Sequence, residues 1–170
     1  MKFTVRLFIQ KHHNRTYTVL APAFPGISAY GPTLEECKLE MAEALAEHLA
    51  EVEPQYLHHV AFRPHQTLEK VTVELRPVDA RGKRRRDTVS ITLNLLLTQE
   101  EEGQALVTAP VLRSPPLSFY IARREELAEV AQLEVAQYFH ELPFEAIVAQ
   151  QAARQETLDT LDVEFKPKKA

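Results

Sequence analysis

The sequence predicts an α+β chain of two tandem βββαβ repeats, each an antiparallel sheet with a helix packed on one face, the two related by pseudo-two-fold symmetry. Three observations predict it. The segment Thr67-Leu68-Glu69-Lys70-Val71-Thr72-Val73-Glu74-Leu75-Arg76-Pro77 returns as Thr157-Leu158-Asp159-Thr160-Leu161-Asp162-Val163-Glu164-Phe165-Lys166-Pro167, a shift of 157 − 67 = 90. The same shift pairs Pro25 with Pro115, Ser28 with Ser118, Tyr30 with Tyr120, and Glu35-Glu36 with Glu125-Glu126. Upstream the shift is 109 − 21 = 88, pairing Phe3-Thr4-Val5-Arg6-Leu7 with Ile91-Thr92-Leu93-Asn94-Leu95, so two residues are inserted around Arg113-Ser114.

The elements of the first repeat follow from periodicity. Phe3, Val5, Leu7 and Ile9 alternate with Thr4, Arg6 and Gln10, the pattern of a strand with one buried face. Lys11 to Arg15 make a polar turn, Tyr17, Val19 and Ala21 the return strand, and Pro22, Pro25 and Gly26 punctuate the chain before a short strand at Ile27 to Tyr30. Thr33-Leu34-Glu35-Glu36 is a capping-box sequence, and Leu34, Cys37, Met41, Leu45 and Leu49 then recur at helical spacing. Pro54 ends that helix, an irregular stretch runs to Gln66, and Val71, Val73 and Leu75 close the repeat.

The second repeat runs in the same order. Ile91 to Leu97 form its first strand, Leu106 to Ala109 the return, Leu117 to Ile121 the third, and Leu127, Val130, Ala131, Val135, Phe139 and Leu142 a helix. Arg123-Arg124 replace the capping threonine. Pro143 suits the first turn of a further short helix, and Leu161, Val163 and Phe165 close the repeat. The expected divisions are a first repeat at 1–77, a basic linker at 78–88, a second repeat at 89–167 and a tail or the start of a linker at 168–170. One repeat is near the lower size at which a single core is stable, so either is expected to be unstable or dimeric alone.

Composition bounds the function. With 45% hydrophobic and 26% charged residues the chain is an ordinary globular one, and a net charge of −4 gives no global attraction to nucleic acid or an anionic membrane. It opens on a strand pattern without an apolar leader, carries no bilayer-length apolar run and has one cysteine, all of which read as cytoplasmic.

The stretch Val19-Leu20-Ala21-Pro22-Ala23-Phe24-Pro25-Gly26-Ile27-Ser28-Ala29-Tyr30-Gly31-Pro32-Thr33-Leu34-Glu35-Glu36 resembles the HicB antitoxin family: a strand, a Pro-Gly turn, a short strand ending in Gly and a Thr-Leu-Glu-Glu helix start. The resemblance implies a module that binds and blocks a small toxin ribonuclease. No DNA-binding helix pair of the kind that family usually adds is legible here. The opening Met1-Lys2-Phe3-Thr4-Val5 and the closing Leu158 to Pro167 also resemble the N-terminal extension of some bacterial Clp-type AAA+ unfoldases, which implies docking of substrates or adaptors without hydrolysis.

No catalytic, cofactor or metal site is expected. The four glycines each sit in a predicted turn and build no phosphate loop. His12-His13 and His58-His59 are adjacent pairs, which point to opposite faces of an extended chain, and neither has an HExxH or CxxC partner. Cys37 falls on the apolar helical stripe and reads as a core thiol, while Glu74 and Glu164 alternate with apolar neighbours and read as solvent-facing. The run Arg81 to Arg86 is a candidate nucleic-acid contact through Arg84, Arg85 and Arg86, but no recognition helix or aromatic platform accompanies it, so a solvated linker dispensable to folding is expected.

The expected function is therefore a non-enzymatic protein-interaction module binding a protein substrate or adaptor, oligomeric only through a longer chain. A free-standing antitoxin-like or RNA-binding protein is the alternative. The expected contact surfaces are the Pro-rich turns Phe24-Pro25-Gly26 and Pro115-Pro116-Leu117 together with exposed edge strands.

Overall fold

The computed structural model describes residues 1–60, 63, 65–100, 103–112, 116–150 and 155–168. In chain order its elements are β1 (Lys2–Lys11), β2 (Tyr17–Leu20), β3 (Ser28–Gly31), α1 (Leu34–Glu51), β4 (Gln66–Leu75), β5 (Val89–Gln99), β6 (Ala105–Ala109), β7 (Leu117–Ile121), α2 (Leu127–Tyr138), α3 (Phe144–Val148) and β8 (Gln155–Glu164). A 3₁₀ segment at Pro54–Val60 follows α1, and another at Arg124–Glu126 precedes α2. The class is α+β, with two four-stranded antiparallel sheets ordered β3-β2-β1-β8 and β4-β5-β6-β7.

These sheets belong to two compact units, the first made of Met1–Pro64 with Ala153–Ala170 and the second of His65–Ala152. In the first, α1 lays the predicted stripe Cys37, Met41, Leu45 and Leu49 on the sheet face built by Val5, Leu7, Ile9, Val19 and Val163. Thr33 caps α1, its hydroxyl oxygen accepting from the Glu36 amide at 3.2 Å. In the second, Ala131, Val135, Phe139 and Ile147 cover Val73, Ile91, Leu93, Leu95, Val107 and Phe119. Where the threonine is missing, the Glu126 carboxylate takes its place, accepting from the Ala122 and Arg123 amides at 3.2 and 3.3 Å. The Arg123 side chain, bonded to that carboxylate, holds it below the usual range.

The expected contiguous repeats do not survive in the strand pairing. β4 pairs with β5 along its whole length, from Gln66↔Thr98 to Leu75↔Val89, and β8 pairs with β1, from Lys2↔Glu164 to Lys11↔Gln155. β4 thus completes the sheet of β5, β6 and β7, β8 completes that of β1, β2 and β3, and the divisions 1–77 and 89–167 give way to the two units above. The cause lies in residues 78–88, read from sequence as a linker. Val78 bridges Arg84, and Asp79 anchors a tight turn, its carboxylate accepting from the Arg81 and Lys83 amides at 2.9 Å each. Gly82 supplies the positive φ of 77° that this turn requires. The segment is the end of a long β4–β5 hairpin, and closing so short a loop costs roughly 1 kcal/mol less in entropy than sending β4 back to β1. With β4 committed, the free edge of β1 is left for β8.

A second departure concerns the sheet faces turned away from the helices. Phe8 is fully buried although it alternates with the inward Leu7 and Ile9, and Leu96, Asn94, Thr98 and Thr108 are buried in the same fashion.

β8 is fixed to α1 by an ion pair, Lys38 Nζ to Asp159 Oδ2 at 2.5 Å. The hydrogen bond from Lys38 is the main reason the Asp159 carboxyl lies below its ordinary value. A carboxyl depressed in the folded state contributes stability that is fully present above its unfolded pKa of about 3.9 and is lost as pH falls through the lower folded value. Lys38→Met is accordingly expected to raise the Asp159 titration, followed by carboxyl NMR, toward the ordinary range, with the Thr160 amide and Arg6 still holding it down. The stability cost at neutral pH should be under about 1 kcal/mol and should vanish in acid.

Candidate partner-binding surface

The first Pro-rich turn has the predicted chemistry but not the predicted exposure. Phe24 O accepts from the Ile27 amide at 3.2 Å, with Pro25 and a left-handed Gly26 (φ 91°) between them, the arrangement of a type II turn. Phe24 itself is 4% exposed, packed in the first core with its ring edge-on to His48 at 5.6 Å. Only Pro25 and Gly26 reach the surface. In the second turn Leu117 is the first residue of β7 and points into the core, Pro116 is half-buried, and Pro115 lies outside the described residues. Phe24 and Leu117 are therefore core residues and not contact residues. A large apolar side chain beside a strand end gains more from the adjoining core than from solvent.

Beside Tyr56 at 53% exposure, two further rings left in solvent are ones that the turn-based reading passed over. Tyr30 on β3 is 60% exposed and Tyr120 on β7 is 64% exposed, each flanked by inward neighbours: Ala29 and Gly31, Phe119 and Ile121. The signal was available in the strict alternation of these short strands. Tyr30 has His12 beside it, ring centroids 6.2 Å apart, whereas Tyr120 sits across from the half-buried Leu106.

Both tyrosines lie on sheet edges. On each opposite edge the protein's own groups occupy one outward residue. On β4 the side-chain amide of Gln132, from α2, accepts from the Glu74 amide at 2.9 Å and donates to the Glu74 carbonyl at 2.7 Å. On β8 the Asp159 carboxylate accepts from the Thr160 amide at 2.8 Å. Such plugging is how sheets avoid indiscriminate edge pairing.

In comparisons with protein-family models, curated proteins and solved structures, nothing matches this chain.

The basic run is built into the second unit. Arg84 donates to the carbonyls of Arg76 (2.9 Å) and His140, reaching the last turn after α2, and approaches Glu141 at 3.7 Å. Arg85 lies over the Phe144 ring at 5.1 Å and pairs with Asp87 at 2.7 Å. Arg86 is exposed. Two of the three candidate nucleic-acid contacts are thus engaged in holding the hairpin, and the expectation of a solvated linker is corrected. Arg84→Ser should lower unfolding free energy by roughly 0.5–1.5 kcal/mol, since it removes a charged donor from two solvent-accessible carbonyls, while Arg86→Ser should change it by less than about 0.5 kcal/mol. Thermal melts of the two single variants check this.

The remaining candidates find ordinary places. His12 Nε2 lies 2.7 Å from the Thr18 hydroxyl, and the His58 and His59 rings lie 3.7 Å apart at a tilt of 41°, with Tyr56 stacked on His59. Among the described residues no group of three or more His, Cys, Asp or Glu could hold a metal ion, and no helix is long and apolar enough to cross a membrane. Cys37 is buried, its thiol pushed up by burial and then by Glu40 and Glu36, the reverse of an activated nucleophile. Glu74 and Glu164 are exposed on different sheets.

Proposed function

We propose that this chain is a non-catalytic protein-interaction module that docks a protein substrate or adaptor in the cytoplasm, as the N-terminal domain of a Clp-type AAA+ ATPase. The observation that carries the docking reading is the pair Tyr30 and Tyr120, rings 60% and 64% exposed at positions 120 − 30 = 90 apart. A large aromatic held in water at two corresponding places gains nothing for the fold, and aromatic rings are enriched where proteins bind one another. The place within an unfoldase rests on the resemblance of the opening and closing segments.

The tandem βββαβ repeat with pseudo-two-fold symmetry is part of the same proposal: a fused pair of ancestral units that have exchanged closing strands. Three facts support it. The order of strands and helices recurs, the closing strands take equivalent registers (Phe3↔Val163 and Val73↔Ile91), and Phe8 and Leu96, 96 − 8 = 88 apart, are both buried on the face turned from the helix.

The test is titration of a fluorescent, reduced and carboxymethylated unfolded protein, read by anisotropy. Saturable binding without ATP or RNA hydrolysis is expected. Failure to bind that probe, combined with tight one-to-one inhibition of a small ribonuclease, would replace this reading with the antitoxin one.

A further inference from the structure

We infer that β3 and β7 are the two acceptor edges of this module, each pairing with an extended segment of a partner polypeptide through the backbone of Ser28 and Tyr30 or of Ser118 and Tyr120. The inference rests on the docking reading and specifies its chemistry.

Hydrogen-bond parity fixes which groups face outward. In the first sheet Met1 and Phe165 exchange both backbone bonds, at 2.8 and 3.0 Å. Because bonded and non-bonded pairs alternate in an antiparallel ladder, the odd residues of β1 bond to β8 and the even ones to β2. The His12 amide bonding Thr16 O at 2.9 Å continues that even series. Carried across β2, the pairs Tyr17↔Gly31 and Val19↔Ala29 are bonded, and the N–H and C=O of Ser28 and Tyr30 point off the sheet. In the second sheet the Gln99 amide bonds His65 O at 3.1 Å and the Glu100 amide bonds Gln104 O at 2.8 Å, which sets the same alternation. It leaves Ser118 and Tyr120 facing outward on β7. The next outward amide, Ala122, is the one that Glu126 takes, so the deduced parity agrees with an independent contact.

The edges differ in one respect. β4 and β8 each have one outward residue engaged, Glu74 by Gln132 and the Thr160 amide by Asp159, whereas among the described residues no side chain bonds the outward backbone groups of β3 or β7. The open edges carry the same pair, Ser then Tyr, at the shift of 90. A tyrosine on the pleat can stack on a cross-strand neighbour of an added strand, and on β7 Leu106 extends that apolar surface.

The size of the edges selects the occupant. Strands of four and five residues, about 13–17 Å long, cannot approach the roughly 1,200 Å² buried by stable assemblies. They fit weak capture of an extended, proline-free peptide with an apolar residue facing the tyrosine, and not a lasting dimer of this chain.

The test uses the whole chain and a fluorescein-labelled peptide of alternating Thr and Val with a central Phe. Two peptides per chain are expected, Tyr30→Asp and Tyr120→Asp each removing one site and the double variant weakening binding at least tenfold. N-methylating alternate peptide residues should abolish binding for one set and spare it for the other, an arm that uses only wild-type protein. Equal tolerance of both methylated sets, or peptide binding indifferent to both tyrosines, overturns the inference. If the double variant still binds carboxymethylated unfolded protein as wild type does, the edges are wrong while the docking reading stands. If wild type binds neither probe, both fail. A concentration-dependent dimer abolished by either Asp substitution would assign the edge to a second copy and overturn the peptide assignment.

Discussion

A Thr4→Cys/Asp162→Cys double variant is expected to close an intramolecular disulfide in near-complete yield on mild oxidation, while Thr4→Cys/Thr72→Cys stays reduced. The two experiments compare the observed closing strand with the one that the repeat pattern implies, because Thr72 is the residue 162 − 72 = 90 positions before Asp162. Thr4 and Asp162 are Cα partners, and the Thr4 hydroxyl donates to Asp162 Oδ1 at 2.7 Å. Since Met1–Phe165 is a bonded pair, Thr4–Asp162 is a non-bonded one, whose Cα atoms are only about 4.5 Å apart, within disulfide reach. Thr72 instead faces Thr92, their hydroxyls 3.0 Å apart, so Thr72→Cys/Thr92→Cys is the positive control. Both sides of β1 are taken, by β2 and β8. Cys37 is buried in the core and should not compete. Non-reducing electrophoresis and mass spectrometry of the tryptic fragments read the outcome. A Thr4–Thr72 crosslink in place of Thr4–Asp162 would restore contiguous repeats.

Why the exchange was not legible can be stated residue by residue. Most local elements were readable: the alternation of Phe3 to Ile9, the Thr33 cap, the stripe from Cys37 to Leu49, the Pro25-Gly26 turn and the closing strands all occur where periodicity and turn chemistry place them. Pairing of the closing strands was not, because Val71-Thr72-Val73-Glu74-Leu75 and Leu161-Asp162-Val163-Glu164-Phe165 offer either sheet the same inward and outward pattern. Even the charges are neutral to the choice. Asp159 meets Lys38 in one unit, and Glu69, its counterpart at 159 − 69 = 90, meets Arg124 in the other. What decides is the conformation of residues 78–88, where a basic composition suggested solvent and concealed an Asp79 turn and an Arg84 clamp. The exposed rings were legible in the sequence, but the turn residues were chosen instead. Phe24 and Leu117 were chosen for being apolar in turns, which is the reason they are buried, while Tyr30 and Tyr120 stood in plain alternation one step along the strands.

This strand pairing also makes the two units unequal as folding problems. A fragment of residues 65–152 contains all of the second sheet as an unbroken meander β4-β5-β6-β7 with α2 and α3, so every strand pairing in it joins chain neighbours. It is expected to fold alone, with a cooperative thermal transition and native-like amide dispersion, because short loops and local contacts keep the entropy of closure low. A fragment of residues 1–64 holds β1, β2, β3 and α1 but lacks β8, which in the whole chain arrives from more than a hundred residues away. Its absence bares one side of β1 and removes the burial of Val163 and Phe165, worth roughly 3–6 kcal/mol together, as much as the entire net stability of many domains. The fragment should therefore be unfolded in isolation and should fold when a peptide spanning residues 153–170 is added, with Lys38→Met weakening that rescue through loss of the Asp159 contact. Circular dichroism and NMR titration of peptide into fragment measure both effects. Cooperative folding of 1–64 without the peptide, or failure of 65–152 to fold, would mean that the strand exchange does not govern how this chain attains its structure.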